Sequence, residues 1–132
     1  MPAKKRFKIL VVENETFLVK IFDTKLKKEG FDVVLATDGE QAVDKAASEK
    51  PDLILLDLLL PKMRGFEALE KIRQNPDTAS TRVIILTNLG QEVDIQRAKS
   101  LGALDFLVKT HVPTQEVVDK IRRALDSDTI PN

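Results

Sequence analysis

Four groups of residues carry the side chains from which a reaction could be built: Glu13-Asn14-Glu15, Asp57, Thr87-Asn88 and Lys109-Thr110. Each lies at the end of a short apolar run. Asp57 is the most telling, because it follows Leu53-Ile54-Leu55-Leu56 and precedes Leu58-Leu59-Leu60. A carboxylate between such runs needs a partner or a task, since unpaired burial is costly. Taken together, an acid cluster, a lone carboxylate, a hydroxyl and an amine suit phosphoryl chemistry. A carboxylate can take a phosphoryl group as an acyl phosphate, and a hard divalent cation on oxygen ligands neutralises the charge that gathers there. The Lys109 ammonium pairs with a phosphoryl oxygen as a point charge, and the Thr87 hydroxyl donates to another. By themselves, Asp57 and Lys109 read equally well as a structural ion pair at a sheet edge, because buried pairs occur without function.

Five apolar runs must position these groups: Lys8 to Val12, Asp32 to Ala36, Leu53 to Asp57, Val83 to Thr87 and Leu104 to Val108. They are short and rich in Val, Ile and Leu, as in strands buried on both faces of a parallel sheet. Helix-length segments separate them. Leu18, Ile21, Phe22 and Leu26 share one helical face, and Gly30 follows as a stop. Asp38 is suited to cap a second helix that turns Ala42, Val43, Ala46 and Ala47 inward and ends by Pro51. A third helix fits Gly65 to Gln74, with Phe66, Leu69 and Ile72 inward and Asn75-Pro76-Asp77 as the break. A fourth fits Glu92 to Leu101, and a fifth starts near Pro113 with Val117, Ile121 and Leu125 in register. Five alternations of strand and helix imply right-handed crossovers and one α/β sheet covered on both faces. Such sheets bind ligands at the carboxyl ends of their strands, so the four polar groups converge on one edge.

Composition narrows the field. At 132 residues one core is expected, and 42% hydrophobic with 32% charged residues fits neither a disordered chain nor a membrane protein. Lys plus Arg and Asp plus Glu both total 21, so no net field draws the chain onto nucleic acid or an anionic membrane. With no cysteine there are no disulfides, thiolate metal sites or cysteine nucleophiles, and the single histidine, His111, excludes a multi-histidine metal site. The start is basic, but the apolar stretch Ile9-Leu10-Val11-Val12 is too short for a signal-peptide core, and no run approaches the roughly 18 apolar residues of a span. A cytoplasmic address is expected, and Asn14-Glu15-Thr16 reads as a chance match to the glycosylation pattern.

From about Phe7 to Leu125 the chain resembles the receiver domains of two-component response regulators. Val11-Val12-Glu13-Asn14-Glu15 looks like the acidic end of the family's first strand. Leu56-Asp57-Leu58-Leu59-Leu60-Pro61-Lys62-Met63-Arg64-Gly65 looks like its phosphoacceptor loop. Ile85-Leu86-Thr87 matches the switch-hydroxyl strand, and Gly102-Ala103-Leu104-Asp105-Phe106-Leu107-Val108-Lys109 the last strand with its switch aromatic and lysine. The resemblance implies a doubly wound (βα)5 fold of flavodoxin-like strand order 2-1-3-4-5, in a stand-alone receiver of the chemotaxis-regulator kind. It implies Asp57 as phosphoacceptor, with Thr87 and Lys109 on the phosphoryl group and Phe106 reporting its presence. The metal pocket for Mg2+ would comprise Glu13, Asn14, Asp57 and the backbone carbonyl of Leu59. The implied protein is a phosphoacceptor switch rather than an enzyme, a monomer or weak dimer. Its partners are a sensor histidine kinase or phosphotransfer protein and a downstream target that reads helix 4, strand 5 and helix 5. No direct nucleic-acid contact or membrane insertion is expected.

Several positions depart from the family pattern. Asn14 stands where a second acid is usual, so magnesium is expected to bind weakly. Arg64 replaces a common aspartate, and Asn88 a small residue. Thr110 takes the place of a proline that follows the lysine with a cis bond; without proline a cis bond costs roughly 2.5 to 4 kcal/mol, so a trans peptide is expected. Leu59 and Leu89, two places beyond Asp57 and Thr87, would shield an acyl phosphate from water and slow its hydrolysis.

Other readings fit less well. A phosphatase of the haloacid dehalogenase type needs a second aspartate where Leu59 stands. A flavodoxin needs a hydroxyl-rich phosphate loop where Glu13-Asn14-Glu15 would repel phosphate. The competing reading is a receiver-fold interaction module that no longer accepts phosphate, its pocket weakened by Asn14 and Asn88. Residues 1–6 are expected to form a disordered basic N-terminus, 7–125 the receiver, and 126–132 a frayed tail. With seven residues after Leu125, no output domain is expected to follow. His111 is expected to be an exposed loop residue, and Lys27-Lys28 and Arg122-Arg123 outward helix faces.

Overall fold

The computed structural model describes residues 6–126. The elements alternate without exception: β1 (Lys8–Val12), α1 (Thr16–Lys28), β2 (Asp32–Ala36), α2 (Gly39–Glu49), β3 (Leu53–Leu56), α3 (Gly65–Gln74), β4 (Arg82–Thr87), α4 (Glu92–Ser100), β5 (Asp105–Val108) and α5 (Thr114–Asp126). All strand pairs are parallel, and the sheet order is β2-β1-β3-β4-β5, the flavodoxin-like order expected.

Successive side chains along a strand point to opposite faces, which divides the core in two. On one face Leu10, Val12, Ile54, Leu56, Val83 and Ile85 pack with Ala42 and Ala46 of α2, Leu69 and Ile72 of α3, and Ala98 of α4. On the other, Ile9, Val11, Leu55, Ile84 and Leu86 pack with Phe22 and Leu26 of α1 and with Val117, Val118, Ile121 and Leu125 of α5. The central strands β1, β3 and β4 are buried almost throughout, as expected of a doubly covered sheet. The outer strands are not. Asp32 is exposed and Val33 to Leu35 only partly covered in β2, and in β5 only Leu107 is fully buried, because each has one strand neighbour.

Local chemistry sets the boundaries. Asp38 caps α2, its Oδ1 accepting from the Gln41 backbone N–H at 2.8 Å, and Lys50 closes that helix in the left-handed conformation before Pro51. Asp57 lies one residue beyond β3 and Leu104, 55% exposed, one residue ahead of β5, both differing from the sequence-based bounds. Asp57 lies where the chain leaves the ladder for a loop, and Leu104 where it enters the ladder from one. Lys109–His111 forms a 3₁₀ turn that the apolar pattern gives no hint of. Every described peptide bond is trans, Lys109–Thr110 included.

The expectation of an outward Arg122 is corrected. Its guanidinium donates to the Glu29 carbonyl at 2.8 Å and to Glu29 Oε1 at 2.7 Å, and lies 5.1 Å from the Phe31 ring centroid, tying α5 to the end of α1. Position on the helical wheel places Arg122 beside the buried stripe, and its length carries the charge to an unpaired carbonyl at a helix end. Arg6 pairs with Asp32 at 3.0 Å; the rest of the expected basic extension, 1–5, and of the tail, 127–132, lies outside the described residues. Lys27, Lys28 and His111 are exposed as expected.

Candidate functional site

The register of the sheet assembles the site. Val12 pairs with Leu56, so the residues that follow them, Glu13 and Asp57, leave adjacent parallel strands side by side. Their backbone N–H groups continue the ladder, Asp57 donating to the Val12 carbonyl at 3.1 Å and Glu13 to the Ala36 carbonyl at 3.0 Å. Thr87 pairs with Val108, which brings Lys109 to the same edge from the outermost strand. Glu13, Asp57 and Thr87 are all buried, at 3%, 4% and 0% exposure.

Lys109 joins the acids. Its ammonium lies 2.7 Å from Asp57 Oδ2 and 2.7 Å from Glu13 Oε1, with the lysine side chain itself 9% exposed. The remaining carboxylate oxygens are held by the chain that follows each acid. The Leu59 N–H donates to Asp57 Oδ1 at 3.1 Å, and the Glu15 N–H to Glu13 Oε2 at 3.0 Å. These tight turns orient both carboxylates. The Thr87 hydroxyl accepts from the Leu89 N–H at 3.4 Å, a long contact that leaves its proton available.

Burial pushes the Glu13 carboxyl above its ordinary range and the nearby Asp57 charge adds to this, outweighing the hydrogen bonds from Lys109 and the Glu15 backbone. Burial alone would lower the Lys109 ammonium, but hydrogen bonds to Asp57 and Glu13 and their combined fields hold it above the usual lysine range. With all three groups ionised, two carboxylates share one ammonium. The excess negative charge favours a second cation, and the carboxylates of Glu13 and Asp57 are hard oxygen donors suited to a divalent one. Among the described residues no three His, Cys, Asp or Glu side chains cluster as a metal site.

The residues singled out from the sequence divide as follows. Glu13, Asp57 and Lys109 are in direct contact, and Thr87 closes the neighbouring strand. Asn14 is exposed on the connection to α1, and Leu59 is 53% exposed. Phe106 is half-buried against the face that carries α2, α3 and α4. Arg64, Asn88 and Thr110 are exposed around the rim. Sequence reasoning missed the contact between Lys109 and Glu13, whose only advance signal is that Glu13 and Asp57 each follow a strand of similar length.

It also missed how the loop after Asp57 is braced. A Cβ on Gly65 would fall 2.5 Å from Leu58 Cα, and one on Gly39 2.6 Å from Met63 Cβ, so the loop is gripped by α3 at one end and by α2 at the other. Lys62, in the left-handed conformation, lies 3.7 Å from the buried Asp38 carboxylate.

Among known proteins, the response regulator receiver domain model matches residues 9–122. The chain is 39% identical over 118 residues, 89% of its length, to the alkaline phosphatase synthesis transcriptional regulatory protein PhoP of Bacillus subtilis, and covers 48% of that protein. It thus spans about half the length of the curated relatives it matches. A CheY-like receiver domain protein of Methanospirillum hungatei superposes with a TM-score of 0.86 at 26% identity, over 93% of this chain and 96% of that one. The receiver domain of a sensor histidine kinase from Pseudomonas aeruginosa, with a magnesium ion coordinated in its active-site cleft, superposes with a TM-score of 0.83 at 28% identity, over 92% and 99%.

Proposed function

The chain belongs to the response regulator receiver domain family, and from that membership we propose that it is a phosphorylation-dependent switch whose phosphoacceptor is Asp57. The observation that carries this reading is the Lys109 ammonium held 2.7 Å from Asp57 at the carboxyl edge of the sheet, with the buried Thr87 on the next strand. An Asp57 carboxylate oxygen attacks the phosphorus of a phosphohistidine or a small acyl phosphate. The bond from phosphorus to the leaving nitrogen or oxygen breaks, and its electron pair departs with the leaving group. Lys109 is placed to follow the charge from the carboxylate to the phosphoryl oxygens, and Thr87 to donate to one of them. Glu13, Asn14, Asp57 and the Leu59 carbonyl would hold Mg2+, which supplies charge neutralisation as the two anions meet.

On this reading the protein acts in the cytoplasm, and its partners are a sensor histidine kinase or phosphotransfer protein and a target that reads α4, β5 and α5. The Thr87 hydroxyl moves toward the phosphoryl group, Phe106 turns inward, and the packing of that face shifts between two states. No described helix is long and apolar enough to cross a membrane.

Incubation with magnesium and a small acyl phosphate, followed by intact mass, tests the proposal. One phosphoryl adduct is expected; none would favour an interaction module on the receiver fold.

The metal contribution has its own expected result. Asn14→Asp restores a carboxylate beside the dication, a change worth about 1 to 3 kcal/mol after desolvation, or roughly 5- to 150-fold in affinity. The chain has no tryptophan or tyrosine, so calorimetric titration is the suitable measurement. Equal magnesium affinity in both proteins would mean that residue 14 does not face the metal.

A further inference from the structure

One helix of the proposed output face has little to hold it. Of the nine residues of α4 only Ala98 is buried, and Val93 is 67% exposed. Its strongest polar link to the rest of the molecule is Arg97. The guanidinium donates to Glu70 Oε1 at 2.6 Å, and its carbon lies 4.4 Å from the centroid of the Phe66 ring. Phe66 and Glu70 stand one turn apart on α3, so a single planar cation stacks on one and pairs with the other. The α3 helix is itself anchored to the site, because Gly65 packs directly on the backbone of Asp57 and Leu58. Beside the latch, between the two helices, lies a cavity of about 430 Å³ whose lining includes Leu58, Leu59, Phe66, Leu89 and Arg97. It leaves the connection from β4 to α4 room to shift.

We propose that Arg97 is a positioning residue that latches α4 to α3 and so holds the receiver in its unphosphorylated arrangement. This rests on the reading of Asp57 as phosphoacceptor. As Thr87 moves toward the phosphoryl group, residues 88–91 and the start of α4 move with it. The α3 helix stays with Gly65, so Arg97 must release Phe66 or Glu70. Contacts made in one arrangement and lost in the other are what bias a two-state equilibrium. The latch therefore opposes phosphorylation and sets how far α4 follows it. It acts from outside the core, since Arg97 and Glu70 side chains are 51% and 41% exposed.

The test compares wild type with Arg97→Ala and Arg97→Lys. Alanine is the better helix former, so any loosening of α4 reports a lost tether rather than a weakened helix. Amide exchange in Glu92–Ser100, measured without ligand, is expected to quicken about 5- to 10-fold in Arg97→Ala while Thr114–Asp126 is unchanged. Beryllofluoride in the presence of magnesium should bind tighter by a similar factor. Arg97→Lys keeps a charge for Glu70 but not the planar stack, and should fall between. Unchanged exchange in α4 overturns the latch, and faster exchange with unchanged beryllofluoride affinity overturns its coupling to the switch. A wild-type protein that binds no beryllofluoride overturns the phosphoacceptor reading and the coupling with it, whereas the exchange comparison judges the tether alone.

Discussion

Asp57→Asn is expected to take up no phosphoryl group from a small acyl phosphate while remaining folded. Asparagine keeps the shape of the side chain and an oxygen for the Leu59 N–H, but its amide is not a nucleophile toward phosphorus. The loss of labelling should therefore be complete, without unfolding. Electrostatics favours the folded variant, because one of two carboxylates competing for Lys109 has gone and Glu13 is left in a one-to-one pair. The variant should melt no lower than wild type near neutral pH. The pH dependence should change with it. A carboxyl raised above its unfolded value holds its proton longer in the native state, so stability falls as pH rises through the window above about 4.5. Asp57 is one cause of that raised Glu13, so its removal should flatten this fall. If intact mass shows the Asn variant labelled at the wild-type rate, another side chain is the acceptor.

The layers of the fold were legible because the signal behind them is periodic. Strands of four to six residues, mostly β-branched or Leu, alternate with helices whose apolar positions recur every three or four, and α3 runs from Gly65 to Gln74 as read. The site was legible in part for the same reason, since a polar residue that interrupts an apolar strand must sit at its end. Boundaries were less so at the end of β3 and at the starts of β4 and β5, each off by one residue, where no glycine or proline stands at the boundary. Contacts between elements distant in sequence were hidden. The pairing of Lys109 with Glu13, of Arg122 with Glu29, and of Arg97 with Glu70 and Phe66 depend on register and crossing geometry that no local pattern encodes. Long cations in particular read as solvated faces and act as cross-braces.

Gly65→Ala is expected to be strongly destabilising, because the added methyl group meets the backbone that bears the phosphoacceptor. Gly65 is the first residue of α3, and an added Cβ would lie 2.5 Å from Leu58 Cα and within contact of the Asp57 carbonyl carbon at 3.1 Å. These are backbone atoms of the loop that bears the phosphoacceptor and cannot rotate aside. Either α3 moves off the sheet, loosening Phe66, Leu69 and Ile72, or the loop moves and carries Asp57 away from Lys109. Overpacking of this kind costs typically 1 to 3 kcal/mol, and rigid partners place this case at about 3, or a melting shift of roughly 10 °C. Gly30→Ala is the control that separates space from conformation. Gly30 has a φ of 96° and nothing within 4 Å of a new Cβ, so its cost is the left-handed backbone alone, about 1 to 2 kcal/mol. Helix propensity works the other way at Gly65, where alanine would gain up to about 1 kcal/mol in an unhindered helix. A net loss there must therefore come from the contact with Asp57 and Leu58. The functional readout follows the same geometry: Gly65→Ala should label more slowly with acyl phosphate, whereas Gly30→Ala, at the opposite edge of the sheet, should label at the wild-type rate once both are folded. Equal labelling by the two variants would mean that the loop keeps its place, and that α3 rather than the phosphoacceptor absorbs the clash.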